Sequence, residues 1–214
     1  KDFPVGICHA FYFQNQIWIE GIRIDPNFRR QQIGSKLITH AELIGKNTDT
    51  LFSYMLIDTE NKKSISMANS LNYEIFQIWN YYSLLPKQNS NYEIEFEQSL
   101  DSTFFPYYVD SWRWLETNEK ILSDLCVQNK VIKSSLDGND SIAIISDYKH
   151  LDKTLIITLV SGSFDTLSNI ISYLQNYAIE KNYERIQILT KENLTSNDSL
   201  EYKISFNLMK KSLH

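Results

Sequence analysis

Cysteine is scarce in this chain. There are two, Cys8 and Cys126, far apart and with no Cys or His at metal-ligand spacing. A disulfide scaffold and a zinc-binding knuckle are excluded, and no metal is expected. The thiols form one disulfide or, the preferred reading for a chain without a secretion signal, stay reduced and buried. Long apolar runs are missing too: none approaches the ~18 residues that a membrane span needs. The amino terminus reads Lys-Asp-Phe-Pro, without the charged-then-apolar layout of a signal peptide. The expectation is a cytoplasmic protein and, since Met does not lead it, a fragment or processed product. A basic stripe is the third absence. Residues 1–87 hold nine basic and eight acidic side chains, residues 88–214 twelve and eighteen. Nucleic-acid binders gather cations on one face, so neither nucleic acid nor membrane is an expected partner.

What is present suits a globular protein. With 43% hydrophobic and 22% charged residues in 214, disordered and fibrous classes drop out. Thirteen Tyr, eleven Phe and four Trp supply core material for one large or two small domains.

The chain reads as two α/β units. Val5 to Phe13 and Ile17 to Ile24 are strands flanking the polar Gln14-Asn15-Gln16 turn. Asp25-Pro26-Asn27 ends the second strand. A helix follows, with Ile33, Leu37, Ala41 and Ile44 as its apolar face and Gly45-Lys46-Asn47 as its stop. Leu51 to Ile57 is a strand, Asn61 to Asn72 a helix burying Ile65, Ala68 and Leu71, and Tyr73 to Leu85 an aromatic strand. The breaker-rich stretch from Pro86 to Asn91 sets the expected boundary between domains 1–87 and 88–214. In the second unit, Glu119 to Val127 is a helix packing Ile121, Leu122, Leu125 and Cys126 inward. Trp112 and Trp114 are read as fillers of a core or interface. Thr154 to Val160 is a strand, and the next helix carries Leu167, Ile170, Ile171, Leu174, Tyr177 and Ala178, with Asp165-Thr166 as its N-cap. Arg185 to Thr190 is a strand, 193–202 a short helix or loop, and Ile204 to Leu208 a last strand. The similar order of elements points to a divergent internal duplication or to the default alternation of α/β chains.

The stretch that carries chemistry runs from Trp18 to Leu37: a strand, a proline-marked turn, two arginines, a loop with one glycine, and a helix start. The first N–H groups of a helix have no internal partner and sit at the positive end of its dipole. Such an end holds a phosphate, and Arg29 and Arg30 would add charge-assisted bonds to a diphosphate. Gly34 permits close backbone approach. The pattern is neither a Walker loop nor a Gly-x-Gly-x-x-Gly turn.

This order of pieces resembles the GNAT superfamily of acyl-CoA-dependent N-acetyltransferases, whose signature is Arg/Gln-x-x-Gly-x-Gly/Ala after such a strand and turn. Arg29, Gln32 and Gly34 fall on the three positions, with Gln32 replacing the first glycine. Asn61-Lys-Lys-Ser64 and Leu71-Asn72-Tyr73 resemble a second family pattern, with Asn72 where glycine is usual; Asn tolerates the left-handed conformation well. The strand Trp18 to Arg23 is most similar to a branch that includes histidine N-acetyltransferase-like proteins, some with a degenerate second lobe. The resemblance covers Val5 to about Leu85 and implies a GNAT fold: an α/β (α+β) mixed central sheet flanked by helices, with a second GNAT-like lobe. It implies acetyl-CoA as co-substrate. Ile22, Arg23 and Ile24 would present backbone groups to pantetheine. Arg29, Arg30, Gln31, Gln32, Ile33, Gly34 and Ser35 would cradle the diphosphate, and Asn61 and Ser64 would flank the thioester end.

Amine acylation needs a base for the incoming ammonium and an acid for the leaving thiolate. Glu20, in an otherwise apolar strand, would be the base, its pKa raised; the alternative is a strand-face Glu paired with Arg23 or exposed at an edge. His9 and His40 are weaker candidates. The position where many family members carry an acidic Tyr is Ala68 here, which leaves water, the coenzyme, or Tyr73 and Tyr54. At the matching place in the second unit, Ser161 to Asp165 has no arginine, so no coenzyme is expected there, only a structural or acceptor-shaping role. The expected function is acetyl transfer from acetyl-CoA to a primary amine of a small molecule or peptide. The alternative is a catalytically inactive acyl-CoA-binding or protein-interaction module. A homodimer is allowed by the sequence but not specified by it.

Overall fold

The computed structural model describes residues 3–103, 105–147, 153–195 and 197–214. In chain order the elements are β1 (Gly6–Phe13), β2 (Gln16–Ile24), α1 (Ile33–Lys46), β3 (Phe52–Asp58), α2 (Lys62–Ser70), β4 (Glu74–Leu84), β5 (Glu95–Phe96), β6 (Tyr107–Asp110), β7 (Arg113–Glu116) and α3 (Glu119–Val127). There follow β8 (Val131–Leu136), β9 (Asn139–Asp147), β10 (Thr154–Val160), α4 (Phe164–Glu180), β11 (Arg185–Thr190) and β12 (Glu201–Ser212). They form the mixed sheet with flanking helices that a GNAT fold requires.

Two compact units emerge, and their limits differ from the expected boundary at residue 87. One runs through the described residues up to Ile78 and takes back Ser205–His214; the other is Trp79–Ile204. The physical reason is strand pairing. The distal half of β4 pairs with β11, Leu84 opposite Ile186, and the distal part of β12 pairs with β3, Leu208 opposite Leu56. Each unit is therefore closed by a strand from the other half of the sequence.

In the first unit the strand order is β1-β2-β3-β12. β1 and β2 are antiparallel, β2 and β3 parallel. The core joins Ile17 and Ile19 of β2, Ile38 and Ala41 of α1, Met55 and Ile57 of β3, Ala68 of α2, and Met209 of β12. The buried face of α1 is rotated by one residue from the expected one: Gly34, Ile38, Ala41, Glu42 and Gly45 are inside, while Ile44 is 45% exposed. Glu42 explains the rotation. Its carboxylate, 4% exposed, accepts from Lys211 Nζ at 2.6 Å and from the Tyr73 hydroxyl at 2.7 Å. A paired buried carboxylate outweighs one exposed isoleucine, because an ion left alone in the core costs several kcal/mol and a side chain such as Ile44 only ~2. The Tyr73 proton is committed to Glu42, so Ser53 Oγ, 2.5 Å away, donates to the phenol oxygen. On the other face of this sheet, Lys210 Nζ lies over the rings of Phe52, Tyr54 and Phe76 at 3.8, 5.3 and 4.7 Å.

In the second unit the order is β4-β11-β10-β9-β8-β5. α4 lays Leu167, Ile170, Ile171, Leu174 and Ala178 on β10 and β11. α3 packs Leu122, Leu125 and Cys126 against Val131, Ile142 and Ile144. Two hairpins here have no counterpart in the sequence reading. β8–β9 turns at Asp137-Gly138, both at positive φ, and β6–β7 turns at Ser111-Trp112. Trp114 is fully buried, and Trp112 donates from Nε1 to Gln187 Oε1 at 2.8 Å. The N-cap of α4 is Ser163, not Asp165: Ser163 and Thr166 form a reciprocal capping box, and Asp165 stands in the first turn. No helix forms among the described residues of 193–202.

Candidate active site

The site is built where β2 ends. β2 pairs with β3 only over Gln16–Trp18 against Phe52–Tyr54. Three residues on, Gly21 takes a left-handed φ of 63°, a break in the pleat that reverses which side chains face α1. Ile22 and Ile24 thereby point to the same side as Ile17 and Ile19 before them. Asp25 then accepts from Asn27 N–H at 2.9 Å, and Pro26–Phe28 makes one tight turn. Arg29 anchors that turn by donating from Nε to Ile24 O at 3.3 Å.

Arg30 and Gln32 are both left-handed, at φ 62° and 60°, and α1 starts at Ile33 with no side chain capping it. Its first N–H groups are therefore available to an anion. They open on a groove of about 320 Å³. Its floor is Ile22, Ile24 and Met67, its wall Phe28, its rim Arg29, Arg30 and Gln32, and its helix end Ile33, Gly34 and Ser35. Among the described residues neither Arg29 nor Arg30 is paired with a carboxylate. A methyl group built on Gly34 would lie 3.5 Å from Met67 Sδ and 3.9 Å from Ile22 Cγ2, ordinary contacts, so an alanine fits there as well as glycine. Cationic rim, apolar floor and uncapped amides are the chemistry a diphosphate with a pantetheine arm requires.

Of the twelve residues expected from the sequence to contact the coenzyme, eight line this groove and four do not. Arg23 lies on the opposite side of the strand from Ile22 and Ile24, and its Nη1 donates to Ile22 O at 3.0 Å. Gln31 is exposed and outside the lining. Asn61 caps α2, its Oδ1 accepting Ser64 N–H at 3.2 Å, so that side chain serves the helix and neither residue lines the groove. Phe28 and Met67 were missed. Phe28 is an apolar residue in an otherwise polar loop, a signal that was there to read; Met67 is placed by helix packing and had none.

Glu20 faces His9 across β1 and β2, with Nδ1 and Oε1 2.7 Å apart. Burial, then the charge of Glu20, pushes the thiol pKa of the neighbouring Cys8 up, which disfavours its thiolate. Tyr73 and Tyr54, two acids considered from the sequence, are core residues. Burial, then the neighbouring Glu42 carboxylate, raises the Tyr73 phenol far above its usual range. Tyr54 is fully buried and stacked on Trp18 at 5.7 Å. Asn72 sits at φ 66° in the place where the family pattern has glycine.

The equivalent loop of the second unit is filled from within. Ser161 N–H donates to Glu192 Oε2 at 2.8 Å and Gly162 N–H to Ser141 Oγ at 3.0 Å. The Asp140 backbone lies 2.4 Å from where a Gly162 Cβ would stand. With α4 capped by Ser163, the amides of Ser161, Gly162, Ser163 and Thr166 are already engaged.

No curated protein sequence matches the chain. Residues 2–73 match the family model described as the acetyltransferase (GNAT) family. Among solved structures, the GCN5-related N-acetyltransferase from Sphaerobacter thermophilus superposes with a TM-score of 0.63 at 8% identity, over 98% of this chain and 77% of its own. A tandem GNAT protein from the clavulanic acid biosynthesis pathway superposes with a TM-score of 0.55 at 10% identity, over 98% and 79%. These likenesses establish the fold. Residues 2–73 thus carry the sequence likeness to the GNAT acetyltransferase family, and the chain has the fold of these solved GNAT structures.

Proposed function

We propose that the chain transfers an acetyl group from acetyl-CoA to a primary amine of a small molecule or peptide. The observation that carries the reading is the groove at the uncapped start of α1, with Arg29 and Arg30 on its rim and Ile22 and Ile24 on its floor. Arg29 and Arg30 with the amides of Ile33 to Ser35 hold the diphosphate, and the parting of β2 from β3 admits the pantetheine arm. The coenzyme supplies the activated acyl group as a thioester. Glu20 takes the proton of the acceptor ammonium, directly or through water, so that the nitrogen can attack the thioester carbon. The N–C bond forms as the C–S bond breaks. The His9 ring, 2.7 Å from the Glu20 carboxylate, orients it and hands the proton on to solvent. With Ala68 at the register of the family's tyrosine and Tyr73 committed to Glu42, water protonates the departing thiolate.

A second reading, an acyl-CoA-binding or protein-interaction module without turnover, is favoured by that same lack of a side-chain acid. Two measurements separate the readings. Calorimetry with acetyl-CoA is expected to show one site, weakened about tenfold or more by Arg29→Ala. Thiol release against a panel of amines is then expected to show turnover. No heat with acetyl-CoA sinks both readings; binding without turnover on any amine leaves only the second.

A further inference from the structure

Glu20 and Arg23 are three positions apart, and in an unbroken strand an odd separation turns two side chains to opposite faces. The left-handed Gly21 changes that. β2 takes three steps from Glu20 to Arg23 while β1 takes two between their partners, from His9 to Ile7. Residues directly opposite in an antiparallel pair share a face, so Glu20 and Arg23 stand together on the face away from Ile22 and Ile24. Their charges are placed differently. Glu20 is held by His9 at 2.7 Å. Arg23 is exposed; its Nη1 donates to the carbonyl of its neighbour Ile22, and among the described residues no carboxylate is paired with it. Asp25, the next carboxylate along the chain, accepts Asn27 N–H instead.

In the proposed reaction the acceptor amine reaches Glu20 from this face. A guanidinium offers its N–H donors in a planar fork that matches a carboxylate, and only Nη1 of Arg23 is engaged. Two side chains one pleat apart on one face are about 7 Å apart at the backbone. One small molecule fills that gap with its ammonium at Glu20 and its carboxylate at Arg23. We infer that Arg23 selects the acceptor by pairing with its carboxylate, so that the preferred substrates are free amino acids and not plain amines or amides. The inference rests on the transferase reading, with Glu20 as base, and adds the chemical class of the acceptor. Arg23 keeps its proton throughout and takes no part in bond making; it fixes the amine beside the base.

The test is thiol release by the full chain from acetyl-CoA, with a panel of free amino acids, the carboxamide of each and the matching decarboxylated amines. For the best amino acid, kcat/KM is expected to exceed that of its carboxamide about tenfold or more. Arg23→Ala is expected to raise the KM of that amino acid about tenfold with little change in kcat, and to affect the carboxamide far less. Arg23→Lys keeps part of the preference, since it retains the charge without the fork. Carboxamides or plain amines acylated as well as the acids by the wild type overturn this inference and leave the transferase standing. An equal loss for acid and carboxamide in Arg23→Ala overturns it too, since a purely structural role would produce that. If acetyl-CoA binds and nothing in the panel is acylated, the transferase reading falls and this inference with it.

Discussion

Lys211 and Glu42 are 169 positions apart in the chain and meet at 2.6 Å, with the Glu42 carboxylate also accepting the Tyr73 hydroxyl. The pair ties the end of β12 to the middle of α1, across the strand that completes the first unit. Removing one partner of such a pair strands the other in the core. Lys211→Met is expected to cost about 3–5 kcal/mol of stability in urea denaturation. The double variant Lys211→Met/Glu42→Gln should recover part of the loss, since it leaves no unpaired ion. A cost under about 1 kcal/mol for the single variant would show that the pair is screened and not structural.

Gln32 holds a left-handed conformation at the first of the two glycine positions of the signature loop. A residue with a Cβ is disfavoured there by about 1–2 kcal/mol, part of which a glycine gives back by loosening the unfolded chain. Gln32→Gly is therefore expected to leave stability within about 1 kcal/mol of the wild type. It also removes a side chain from the groove rim, so acetyl-CoA is expected to bind several-fold tighter in calorimetry. Weaker binding would mean that the Gln32 side chain is itself a coenzyme contact.

Glu20→Gln keeps the shape of the strand and removes the proton acceptor. Turnover on any accepted amine is expected to fall about 10²- to 10⁴-fold, with acetyl-CoA affinity unchanged. His9→Gln can still donate to Glu20 and should retain more activity than His9→Ala. Undiminished turnover of Glu20→Gln at every pH removes Glu20 from the chemistry.

The second unit carries a stack of tyrosines in which Tyr173 lies 5.7 Å from Tyr177 and 5.5 Å from Tyr92. Burial, then the neighbouring tyrosines, pushes the Tyr173 phenol up to about 12. In the unfolded chain it ionises near ~10. Between those values the folded protein holds a proton that the unfolded chain has lost, so stability falls as pH rises from about 10 to about 12. Below that window the group contributes no pH dependence. Denaturation midpoints across pH 9 to 12 are expected to slope less in Tyr173→Phe than in the wild type; parallel slopes would discount the group.

Much of this was legible in the residues. The limits of α3, β10 and β11 follow from apolar periodicity and fall where the sequence placed them, and the apolar stripe of α4 is the expected one, because each is an amphipathic or continuous apolar segment. The face of α1 was read one residue off, since periodicity counts Ile44 as core and has no means of knowing that Glu42 will find Lys211. The β8–β9 hairpin was missed although Asp137-Gly138 is a strong turn signal; the exchange of β4 and β12 between units had no local signal at all. At the site, Arg29 to Ser35 could be read as a cradle because helix-end chemistry is local. Met67 and the meeting of His9 with Glu20 depend on packing and register and could not.

The return of β12 to β3 has a consequence for synthesis. Residues 2–73, which match the family model, are made more than a hundred residues before the strand that completes their sheet, Ser205–His214. A nascent chain shorn of residues 205–214 exposes the β3 edge, a template for wrong pairing. Although domains generally fold in the order in which they leave the ribosome, this lobe must wait for translation to run through both.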